Sequence, residues 1–91
     1  MLDLRDKLAE RFGREAEFAI DYTALDYIRH NGYEMIKVRL VKAAQPADEV
    51  TISVDHRRRF EIYFTGKDAL WMRRALEVFE CVLSDWEVGQ V

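Results

Sequence analysis

The sequence predicts an α+β fold: a mainly antiparallel sheet of three to four strands, with an N-terminal and a C-terminal helix packed on one face. Two observations predict it. Between Lys67 and Trp86, the residues Met72, Ala75, Leu76, Phe79, Val82, Leu83 and Trp86 recur at steps of three and four. That spacing lays one apolar stripe along an α-helix, which turns about 100° per residue. Upstream, three short segments alternate apolar and polar residues, the pattern of strands buried on one side only. A stripe about five turns long needs a partner surface, and the dry face of those strands supplies it.

The first element is a short helix. Leu4, Leu8 and Phe12 form a narrow stripe among charged residues, and Leu2 leaves it. Gly13 ends it as a residue that tolerates the left-handed conformation. From Glu17 to Tyr22, Phe18, Ile20 and Tyr22 alternate with Glu17, Ala19 and Asp21. This favours a strand, although a helix from Arg14 would also align Phe18, Tyr22 and Leu25. From Thr23 the alternation fails. Thr23 and Asp26 have capping-box spacing, Leu25 and Ile28 share a helical face, and Asn31-Gly32 closes a two-turn helix. The rival reading makes Asn31-Gly32 a type I′ turn between two strands; the helix is the expectation.

The middle is plainer. Ile36, Val38 and Leu40 alternate with Met35, Lys37 and Arg39; Val50, Ile52 and Val54 with Thr51, Ser53 and Asp55; Phe60, Ile62 and Phe64 with Arg59, Glu61 and Tyr63. With a loop from Ala43 to Asp48 around Pro46, these read as an antiparallel meander. In the last helix Arg73, Glu77, Glu80, Ser84 and Glu87 oppose the stripe, and Thr65 with Asp68 reads as its capping box.

The 91 residues make one domain, 1–91, without internal repeats or a dividing linker. A hydrophobic share of 49% against 34% charged residues argues against a disordered tail. Cys81 is the single cysteine, which excludes an internal disulfide or a cysteine-based zinc cluster and fits a reducing cytoplasm. No apolar run approaches the roughly 20 residues of a membrane span. The N-terminus is charged from Asp3, unlike a signal peptide, and the chain reads as a complete small product.

The net charge of −3 is uneven. Residues 1–36 carry five basic and eight acidic side chains, 37–59 six and three, and 60–91 three and six. A positive middle lies between two negative flanks, and the acidic whole disfavours general nucleic-acid binding.

The candidate site is the polar stretch His56, Arg57, Arg58 and Arg59 between the last two strands, with Lys37, Arg39 and Tyr63 on the same wet face. Guanidinium forks clamp carboxylates or phosphates, and an exposed ring among cations could also hold a single-stranded nucleic acid. Against this, a hairpin tip is commonly charged, and strand arginines can pair with Glu61 and Asp55. Trp71, with Leu70 and Val78, flanks the helical stripe. It reads either as buried under the first helix or as an interface anchor, which leaves room for a homodimer.

His30 and His56 form no metal pattern, Cys81 packs mid-helix as a small hydrophobe, and the four glycines form no phosphate loop. No catalytic residue, metal or cofactor is expected. The function expected is non-enzymatic binding of another protein with an acidic surface, as an adaptor, inhibitor, immunity-type or regulatory module. The alternative is a nucleic-acid-associated regulator using the same basic patch.

Overall fold

A computed structural model describes residues 1–44 and 47–89. The elements in chain order are α1 (Leu2–Gly13), β1 (Phe18–Ile20), a 3₁₀ turn (Tyr22–Ala24), β2 (Asp26–His30), β3 (Tyr33–Lys42), β4 (Glu49–Asp55), β5 (Phe60–Thr65) and α2 (Ala69–Gly89). The fold is α+β, with both helices on one face of an antiparallel sheet ordered β1-β3-β4-β5. One edge position is shared: β1 pairs with residues 40–42 of β3, and β2 with residues 33–37. The centre of the expected loop, Gln45 and Pro46, lies outside the described residues.

The alternation of the central strands sets the core. Ile36, Val38, Leu40, Val50, Ile52 and Val54 are buried and face the helices. Leu4, Leu8 and Phe12 of α1 complete one side of it. Gly13 ends α1 as expected, but its φ is not positive; the positive-φ glycines among the described residues are Gly32 and Gly66.

Residues 23–32 are not a helix. Only Tyr22–Ala24 turn helically, capped by Asp21, whose side chain accepts a hydrogen bond from the Thr23 amide. Leu25 and Tyr27 both pack on the core, which is period two, not the spacing of Leu25 and Ile28. The Tyr27 hydroxyl donates to Glu34 at 2.8 Å across the β2–β3 pair. Asn31 (φ 50°) and Gly32 (φ 80°) form the two-residue turn. Both sit in the left-handed region that an Asn-Gly hairpin turn requires.

The buried face of α2 comprises Trp71, Ala75, Val78, Phe79, Val82 and Trp86, rotated from the expected stripe, whose Met72, Leu76 and Leu83 are half-buried. The cause is α1, which packs along the Val78 flank. Trp86 Nε1 donates to Asp3 in α1 at 2.8 Å, and Arg74 bridges at 3.2 Å to Glu15, two residues beyond the end of α1. Thr65 is the last residue of β5 and takes no part in a capping box. Asp68 is itself the cap: one oxygen accepts from the Trp71 amide at 3.0 Å and the other pairs with Lys42 at 2.7 Å. Cys81 is exposed, not packed as expected.

Candidate functional site

The outer sheet face is built by the strand residues that point away from the helices. Cross-strand register aligns Lys37 with Ser53 and Ser53 with Glu61, and likewise Arg39 with Thr51 and Thr51 with Tyr63. Between these rows lies a trough of about 840 Å³, lined by Tyr33, Met35, Lys37, Thr51, Ser53, Glu61 and Tyr63 and closed at the tip end by Asp55, Arg59 and Phe60.

Asp55 organises the tip. It is buried, and its Oδ1 accepts from the amides of Arg57 (2.9 Å) and Arg59 (3.0 Å) while Oδ2 takes the Arg59 guanidinium at 3.0 Å. Burial alone would raise its pKa. The two amides and the guanidinium outweigh burial and hold the carboxyl below its usual range. Arg58 takes a left-handed φ of 66° to close the turn. A short polar acid opening a turn is a recognised device, so Asp55 before His56-Arg57 was the signal available in the sequence.

The predicted residues divide into committed and uncommitted groups. His56 is committed: its amide donates to the Glu34 carbonyl at 2.9 Å, its Nδ1 accepts from the Glu34 amide at 3.0 Å, and its ring meets Tyr33 edge-on. Arg39 is held between Asp21 at 2.7 Å and Glu49, and the hydrogen bonds it donates to Glu49 and Asp21 raise its pKa further. Arg59 lies on the outer face as expected, neutralised by Asp55. The Tyr63 hydroxyl, on a ring 64% exposed, donates to Glu61 at 3.2 Å.

Lys37, Arg57 and Arg58 are different. Their side chains have no hydrogen-bond or ion-pair partner among the described residues, and Arg57 and Arg58 are exposed. Trp71 does not join this face. It is 4% exposed, stacked near Phe18 and Phe64, and its Nε1 donates to the Glu17 carbonyl at 2.9 Å. Of the flank expected as an anchor or dimer seed, Trp71 and Val78 are covered by the chain itself, and Leu70 alone is exposed. Among the described residues, no three His, Cys, Asp or Glu side chains converge to hold a metal, and no helix is long and apolar enough to cross a membrane.

Asp55→Asn tests the tip. A carboxylate whose folded pKa is depressed contributes stability above its unfolded pKa of about 4 and loses it as pH falls through the folded pKa. Wild type should therefore melt several degrees above Asp55→Asn at neutral pH, with the gap closing in acid. A gap unchanged by acid would show that the Asp55 charge does not hold the turn.

Comparison of the chain with protein-family models, curated proteins and solved structures finds no match.

Proposed function

We propose that this chain is a non-catalytic protein-binding module whose outer sheet face and 55–59 tip receive an acidic surface of another protein. The observation that supports this reading is the division of cations. Arg39 and Arg59 are neutralised by the chain's own carboxylates, while among the described residues no partner matches Lys37, which lines the trough beside Tyr63 and Met35, or Arg57 and Arg58, which are exposed at the adjoining tip. An exposed ring supplies contact area at little entropic cost, and unmatched cations supply orientation and on-rate. An adaptor, inhibitor, immunity-type or regulatory role would use such a face, and an exposed, unpaired Cys81 suits a reducing cytoplasm.

The test is the double reversal Arg57→Glu and Arg58→Glu. Exposed charges are worth about 0–1 kcal/mol to folding, so the variant should melt like wild type. Against an acidic partner captured by wild type, the reversal should weaken binding by several kcal/mol through like-charge contact. Retained affinity within about a factor of two would remove the tip from the site. Salt-sensitive binding of single-stranded oligonucleotides by wild type, lost on reversal, would favour the nucleic-acid alternative instead.

A further inference from the structure

We infer that the free edge of β5 pairs antiparallel with β5 of a second copy of this chain, in a register centred on Ile62, to give a two-fold dimer with one continuous sheet. The bonding pattern fixes which backbone groups face outward. The Asp55 amide bonds the Arg59 carbonyl, so the alternating register with β4 turns Glu61 and Tyr63 inward to Ser53 and Thr51. The far side of β4 agrees: the His56 amide bonds Glu34 and the Lys42 amide bonds Asp48, as the same alternation requires. The N–H and C=O groups of Phe60, Ile62 and Phe64 therefore point away from the sheet.

Edge strands are normally protected by lysine, proline, bulges or a covering element. On the opposite edge, shared by β1 and β2, the longer strand β2 carries Asp26, Arg29 and His30. In contrast β5 reads FEIYFT, and Phe60 is 52% exposed at its end. Beside it, a groove of about 290 Å³ lies open between Phe60, Ile62, Leu76 and Leu83.

A second copy fits this edge better than an arbitrary strand. Centring on Ile62 uses all three outward pairs: Ile62 with its twin, and each Phe60 with Phe64 of the other copy. Glu61 then faces Tyr63 across the axis, whereas centring on Glu61 would oppose two carboxylates and centring on Tyr63 would leave Phe60 beyond the end of the facing strand. The helix follows. Phe79 stacks on Phe60 at 5.4 Å and Trp71 lies 6.3 Å from Phe64, so α2 runs opposite to β5 and the axis passes near Leu76. This sets Arg73 of each copy opposite Glu80 of the other. Both are exposed and neither has an ion-pair partner among the described residues. Spacing permits it: two helices about 10 Å apart over four strands about 4.8 Å apart put α2 about 2 Å inboard of β5, so the paired α2 axes come to about 9 Å, an ordinary packing distance.

The experiment is sedimentation of the full chain from micromolar to near-millimolar concentration. The expected species has twice the 10.8 kDa chain mass. Phe60→Lys should dissociate it, Arg73→Glu should weaken it several-fold, and adding Glu80→Arg to Arg73→Glu should restore it. The charge variants are exposed, so they decide the matter even if Phe60→Lys unfolds. In a Cys81→Ser background, Ile62→Cys should crosslink on oxidation, because directly paired Cα atoms lie about 5.5 Å apart, within disulfide range. Arg57→Glu with Arg58→Glu should leave the dimer intact, so this inference and the proposed function fail separately. A monomer throughout, or a dimer indifferent to both Phe60→Lys and Arg73→Glu, overturns the interface. A crosslink at Tyr63→Cys in place of Ile62→Cys overturns the register.

Discussion

Phe79→Ala should lower the unfolding free energy by about 3–5 kcal/mol, the cost of deleting a core ring and leaving a cavity. Phe79 is 1% exposed and packs its ring against Phe60 of β5. A domain of this size has a total stability of roughly 5–15 kcal/mol and loses about 4–8 °C of melting temperature per kcal/mol. The expected fall is therefore tens of degrees, or a chain unfolded near body temperature. Leu70→Ala is the control: Leu70 is 76% exposed, and surface changes of that kind stay within about 0.5 kcal/mol. A Phe79→Ala midpoint within a degree or two of wild type would mean that α2 does not seat Phe79 in the core.

The long periodic segments were legible in the sequence because one period had room to exclude the other. Met72 to Trp86 spans enough turns that only a helix aligns its apolar residues, and each central strand repeats its alternation three times. The orientation of α2 was not legible. Met72, Ala75, Leu76 and Phe79 define a stripe whether or not α1 lies beside it, and only the α1 contact, through Trp86–Asp3 and Arg74–Glu15, turns Trp71 and Val78 inward. Residues 23–32 misled for a related reason. In so short a window Leu25 with Ile28 fits a helix and Leu25 with Tyr27 fits a strand, and the decision came from pairing with β3. At the candidate site, alternation placed Lys37, Arg59 and Tyr63 on the outer face correctly. It could not show that Asp21, arriving from β1, would neutralise Arg39. Which cations are matched depends on chain crossings, and local sequence does not encode those.

Gly66→Ala should cost about 2–5 kcal/mol, combining backbone strain and overpacking. In the sequence Gly66 looks like punctuation between β5 and α2; in the fold it is where two links touch. Its φ of 137° lies where side chains are rarely tolerated, and an added Cβ would come within 2.1 Å of Asp48 Oδ1 and 3.0 Å of Asp48 Cα. The carboxylate could swing aside, at the expense of the hydrogen bond it accepts from the Lys67 amide at 3.3 Å. The Cα cannot follow, because the Asp48 carbonyl is tied to the Lys42 amide at 2.9 Å at the entry to β4. Gly32 separates the two costs: its φ is 80°, but nothing lies within 4 Å of its added Cβ. Gly32→Ala should therefore show strain alone, about 1–2 kcal/mol, and Gly66→Ala that much plus the clash. Chemical denaturation of both variants measures the difference directly. A Gly66→Ala protein no less stable than Gly32→Ala would show that the β4 entry yields freely, and that the contact between these two links does not hold β5 and α2 in place.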